Sequence, residues 1–149
     1  MLDRSSLFLV VAIELAAAGS PQVLAGQSAP GYKIIVHPSN PVTELQLSEI
    51  KDLFLKRRNE WGRSRPVFPV DLSPKVAVRT TFSDQVIGLS PRAVTNHWIQ
   101  EIFAGTNTPP LVLSSVAAVV AYVAATPGAI GYVPADTPPD GVRVVKVIP

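Results

Sequence analysis

TPGAIGYV, residues 126–133, cuts off a run of alanines and valines and begins something different. Pro127 lacks the backbone donor that a helix interior needs, and Gly128 accepts the left-handed conformation that commonly closes a helix. Ile130, Tyr132 and Val133 favour a strand, and a glycine among them, Gly131, points to close backbone approach or a bulge. The stretch predicts a helix, a tight turn and a strand, and the fold depends on what surrounds that joint.

Upstream, Val116–Ala125 is apolar throughout but too short to span a bilayer, so it is expected to be a core helix capped by Ser114 or Ser115. Two further helices share an opening device: Ser73-Pro74 and Ser90-Pro91 each place an N-cap serine before a first-turn proline. Val78, Phe82 and Val86 share a face of the first, which stops at Gly88. Val94, Trp98 and Ile102 share a face of the second, which stops at Gly105. Nearer the N-terminus, Lys33–Val36 is a compact buried strand. Ser48 stands where an N-cap belongs, ahead of a face formed by Ile50, Leu53 and Phe54, and Lys56, Arg57 and Arg58 close that helix at the cation-favouring end of its dipole. Val67–Val70 is a short strand whose Pro69 argues for an edge position or a short pairing. Val142–Ile148 supplies the last strand. Strands alternating with helices predict a single α/β unit, a mixed sheet flanked by helices.

Residues 1–25 differ from the rest. Arg4 precedes the mostly apolar Leu7–Ala18, and Val23-Leu24-Ala25 offers the small residues of a cleavage site, so residues 1–25 are expected to be a secretory signal peptide and 26–149 the mature domain. No cysteine is present, which excludes disulfides, thiolate metal sites, a cysteine nucleophile and a lipidated N-terminal cysteine. The expected location is periplasmic, unlipidated, with no membrane span in the mature chain. A composition 47% hydrophobic supports a buried core, and a net charge of +2 singles out no partner.

VHPSNPV (36–42), LSEIKDLFLKRRNEW (47–61), PVD (69–71) and PGAIGYV (127–133) follow one another in order. Together they resemble the phosphate-type periplasmic substrate-binding proteins of ABC transporters, of the type II periplasmic-binding-protein fold. In that family a hinge strand, a helix ending in a Phe-Leu-Gly-Lys-like turn before Trp, and a late Pro-Gly-Ala-Ile-Gly-Tyr recur. The resemblance spans about residues 32–133 and implies a single lobe, the second of the two between which such proteins hold an anion. It also implies an Arg and a Ser-Gly-Thr turn at a helix start, six residues before a Phe. Counting back from Phe82, that turn falls on Val76-Ala77-Val78, and Asp71 stands near the expected Arg, where its charge would repel phosphate. Ser73, Arg79 and Thr80 remain as candidate contacts to phosphate or another oxyanion at the helix start. Ser73 as a plain cap and Arg79 as a solvated cation are the alternatives.

Other chemistry finds little support. His37 and His97 lie far apart without zinc-like spacing, so no metal is expected. No Gly-x-Ser-x-Gly elbow and no phosphate-cradling glycine loop occur, so neither a catalytic residue nor a cofactor is expected. Lys56, Arg57, Arg58, Arg63 and Arg65 gather around Trp61. Such a group can serve single-stranded nucleic acid, but export argues against that. The favoured reading is a charged helix end and a solvated turn, and if the patch is functional an acidic protein or a cell-envelope polymer is the better-matched partner. Two functions follow: an exported, non-enzymatic, phosphate-binding-like lobe, or an interaction module that kept the lobe and lost the ligand.

Overall fold

The computed structural model describes residues 30–149, and the expected leader over residues 1–25 lies outside them. In chain order the elements are β1 (Tyr32–Val36), β2 (Glu44–Gln46), α1 (Leu47–Phe54), β3 (Glu60–Trp61), β4 (Arg65–Pro66) and β5 (Phe68–Leu72). There follow α2 (Ala77–Phe82), a π-helical segment over Ser83–Ile87, α3 (Pro91–Ala104), β6 (Leu111–Leu113), α4 (Val116–Ala125), β7 (Ala129–Pro134) and β8 (Arg143–Ile148). Six strands form one mixed sheet in the order β2-β8-β1-β7-β5-β6, and β3 with β4 forms a separate small hairpin. β1 runs antiparallel to β7 and β8, whereas β5 is parallel to β6 and β7.

β7 explains the opening stretch. Gly128 has φ +86°, and a Cβ there would lie 2.5 Å from Pro66 O, so both conformation and space demand glycine. Its carbonyl accepts from Phe68 N at 3.0 Å and from Trp61 Nε1 at 3.0 Å, joining the helix end to β5 and to the hairpin. Gly131 serves packing: a Cβ would meet Val119 Cγ1 at 2.8 Å and Val123 Cγ2 at 3.3 Å. The absent side chain lets α4 lie directly on β7. Val119 and Val123, one helical turn apart and fully buried, each contribute about 2 kcal/mol through that contact.

The opposite face of β7 carries Tyr132. Its ring stacks on Phe82 with centroids 3.8 Å apart and 2° between planes, and Phe54 meets both rings edge-on. α1 and α2 therefore cover one face of the sheet and α4 the other, which is the predicted architecture of a mixed sheet flanked by helices.

Several boundaries differ from the sequence expectation. Ser48 is not an N-cap: β2 passes straight into α1 at Gln46, whose N–H donates to Glu49 Oε2 at 2.9 Å. The helix ends at Phe54, so Lys56, Arg57 and Arg58 lie in the turn beyond it, where Arg57 reaches back to Asp52 and Arg58 to Glu49. Ser73 is not a cap either. Its N–H donates to Leu113 O at 2.9 Å, which prolongs the β5–β6 pairing and delays α2 until Ala77. β5 is an interior strand, with the short pairing that Pro69 suggested. Phe68 N faces β7, so by strand alternation Pro69 faces the β6 side, where pairing starts only at Val70. Ser90 and Ser115 do cap their helices, accepting from Ala93 N and Ala118 N. Val94 and Trp98 are buried, but Ile102 is 53% exposed, so the expected apolar face of α3 is covered only in part.

Candidate functional site

β5 ends in Val70-Asp71-Leu72, and all three residues are buried. A carboxylate placed there needs a partner, because an uncompensated buried charge is costly. The partner comes from α2, where Val78 and Phe82 point into the core and Arg79 between them follows. Arg79 is 4% exposed and Asp71 8%. Arg79 Nη1 donates to Asp71 Oδ2, forming a buried ion pair, and to Leu72 O at 3.1 Å. Arg79 Nε donates to Ser83 Oγ at 3.0 Å, one turn further on.

Tyr132 completes the cluster. Its O–H donates to Asp71 Oδ1 at 2.5 Å, and Leu72 N donates to the same carboxylate oxygen at 2.8 Å. Asp71 is thus held by a guanidinium, a phenol and a backbone amide, the donor set that would also hold a free carboxylate or oxyanion. Burial, and after it the Asp71 carboxylate, push the phenol far above its ordinary range, so Tyr132 remains a donor at any physiological pH.

The three sequence candidates do not converge. Ser73 is half-buried in the turn and accepts weakly from Lys75 N at 3.4 Å. Thr80 faces solvent. Arg79 turns inward, away from both, and is not the solvated cation that was the alternative. The repulsion expected of Asp71 is offset by the same pair, since its charge is neutralised within the fold. Tyr132 and Ser83 escaped the sequence reading as site residues. The available signal was an opposite-charge pair, each member flanked by residues that must be buried.

Beside the pair runs a groove of about 260 Å³ lined by Trp98, Ile99, Ile102 and Val112 as well as Asp71 and Arg79. Its rim is apolar and open: Ile99 is 46% exposed, Ile102 53% and Val112 52%, with Phe103 at 88% further along α3. Among the described residues no group of three His, Asp or Glu side chains could hold a metal ion. No helix among them is long and apolar enough to cross a membrane.

No protein-family model and no curated protein matches the chain. Solved structures do. A Clostridium perfringens protein assigned as a phosphate ABC transporter substrate-binding protein, solved with bound phosphate, aligns with a TM-score of 0.63 and 23% identity. The alignment covers 78% of this chain and 44% of that one. An ABC-type phosphate transport receptor from Vibrio cholerae aligns at 0.62 and 18% identity, over 78% and 46% of the two chains. PstS from Borrelia burgdorferi aligns at 0.60 and 12% identity, over 78% and 47%. The chain spans less than half the length of each, as one lobe of a two-lobed protein would. Its fold is that of a single lobe of the phosphate substrate-binding proteins of ABC transporters.

Proposed function

We propose that the chain is an exported, non-catalytic lobe of the substrate-binding-protein fold that works by contact with a protein partner rather than by closing on phosphate. The observation that carries this is the neutralisation of Arg79 by Asp71 inside the fold. The Nη1 and Nε groups of the guanidinium are committed inside the fold, its charge is offset by Asp71, and displacing Asp71 would leave a carboxylate buried without its counter-charge. The exposed apolar rim of α3 and β6 beside the pair supplies a surface of the kind that protein contacts use.

A second function, weak oxyanion binding at Ser73 and Thr80 with Arg79 released from Asp71, is favoured by the phosphate bound in the Clostridium perfringens neighbour. On one open lobe those contacts face water and are screened, which limits the dissociation constant to about 1 mM or weaker. Calorimetric titration of phosphate into the protein distinguishes the two. No binding tighter than about 1 mM is expected. Micromolar binding that Arg79→Lys abolishes would overturn the proposal.

A further inference from the structure

A second groove, of about 230 Å³, lies at the other end of the sheet, where β5 and β7 begin and β1 finishes. Trp61, Pro66 and Pro127 wall it, Asn40 and Arg65 line it, and Gly128 forms its base. The walls are held firmly. The Trp61 indole N–H donates to Gly128 O, whose other bond goes to Phe68 N.

Asn40 is only 5% exposed, and its polar atoms are used one by one. Its N–H donates to His37 O at 2.9 Å, its Oδ1 accepts from Val42 N at 3.0 Å, and its carbonyl accepts from Arg143 Nη1 at 2.7 Å. The bond from Val42 N fixes which end of the amide is the oxygen. Nδ2 is left over, and among the described residues it is the one buried side-chain nitrogen or oxygen without a hydrogen-bond partner. Leaving such a donor unsatisfied is costly, and an acceptor arriving from outside would recover that cost. The charged side chain lining the same groove is Arg65, which is exposed and has no ion-pair or hydrogen-bond partner among the described residues.

Ser39 also lines the groove, but its hydroxyl is already paired with His37 Nδ1 at 2.7 Å. The two polar side-chain groups left without a partner among the described residues, Asn40 Nδ2 and Arg65, are both donors, one of them cationic, against walls of indole and proline. We propose that this groove is a binding site for a carboxylate carried on an apolar body. One carboxylate oxygen accepts from Asn40 Nδ2 and the charge is matched by Arg65, while Trp61, Pro66 and Pro127 cover the body. A small organic acid and the C-terminal residue of a peptide share that chemistry. The site goes beyond the function proposed for the Asp71–Arg79 end and stands without it, since the two lie at opposite ends of the sheet.

The test is a titration of the ¹⁵N-labelled protein, following the Asn40 side-chain amide and the Trp61 indole N–H. The probes are benzoate, neutral benzamide, inorganic phosphate, and N-acetyl-alanyl-phenylalanine with a free or an amidated C-terminus. Benzoate or the free-acid peptide is expected to shift both signals, with the matching amide at least about fivefold weaker. Whichever acid binds more tightly identifies a free acid or a chain terminus as the source. Arg65→Gln, at an exposed position that leaves the fold untouched, should weaken the acid about fivefold. Asn40→Asp keeps the acceptor for Val42 N but removes the donor, and should abolish the response. Unmoved signals at tens of millimolar acid, equal binding of acid and amide, or phosphate binding as tightly as the acids would each overturn the proposal.

Discussion

Arg79 and Arg65 stand at opposite ends of one sheet, and their surroundings differ in kind. Arg79 is buried, and donates to a carboxylate, a carbonyl and a hydroxyl of its own chain. Arg65 is exposed beside an amide nitrogen that the fold leaves without a partner. A guanidinium answered in cis belongs to the folding of the chain, whereas one left unanswered is available to another molecule. The same residue type therefore serves structure at one end and recognition at the other, and identity alone does not distinguish them.

The hardest blow to that comparison is Arg79→Ala. If the pair is structural, the variant loses about 3–5 kcal/mol, because Asp71 is left buried and unpaired. Replacing both residues with apolar ones, Asp71→Leu with Arg79→Met, should restore much of the loss. Chemical denaturation measures both, and a single-variant loss under about 1 kcal/mol would mean that solvent reaches the pair.

Gly128→Val comes next, at about 2 kcal/mol or more, since a β-branched residue is strained at φ +86° and its Cβ collides with Pro66 O. This variant sharpens the comparison because it disturbs the open end through the backbone. A melting temperature equal to that of the parent would mean that the turn is misassigned.

Tyr132→Phe should cost about 1 kcal/mol near neutral pH, since Asp71 Oδ1 keeps its bond from Leu72 N. Its pH dependence is more telling. The phenol is raised above its ordinary 10.0 in the folded protein, so its stabilisation is complete below pH 10 and is lost as pH rises above that value. Stability of the parent should fall there, and the variant should fall less steeply. Equal slopes would sink the assignment of the titration to Tyr132. The smallest effect belongs to Arg65→Ala, which should leave stability within about 0.5 kcal/mol. A larger loss would place Arg65 in the fold rather than in the groove.

Much of the architecture was legible because it is local. Pro127-Gly128, Gly131, Ser90-Pro91 and the apolar Val116–Ala125 each declare a turn, an approach, a cap or a core helix through their own chemistry. Ser73-Pro74 carries the same signature as Ser90-Pro91 yet starts no helix, because Leu113, distant in sequence, draws the Ser73 amide into the sheet. β6 went unseen for a related reason: Leu111–Leu113 is a three-residue strand defined by β5 alone. The polar cluster was hidden at a further remove. Asp71, Arg79 and Tyr132 sit on three elements, and only the sheet order brings β5 beside β7 and α2 over both. Asn40 was quoted within a family-like stretch, but its leftover Nδ2 is a fact of three separate contacts that no short window contains.

β1 lies between β7 and β8, so Tyr32 faces Pro134 and Ile34 faces Val145 across the middle of the sheet. Among the described residues the earliest strand waits for the two latest. During synthesis Ile34, Ile35 and Val36 have no sheet partners until β7 and β8 have followed. Closing so long a loop makes assembly slow to begin, and any interruption of synthesis before β7 leaves three adjacent β-branched residues bare. The position of one strand thus sets when the molecule can become a molecule, and makes its unfinished forms the ones most in need of a chaperone.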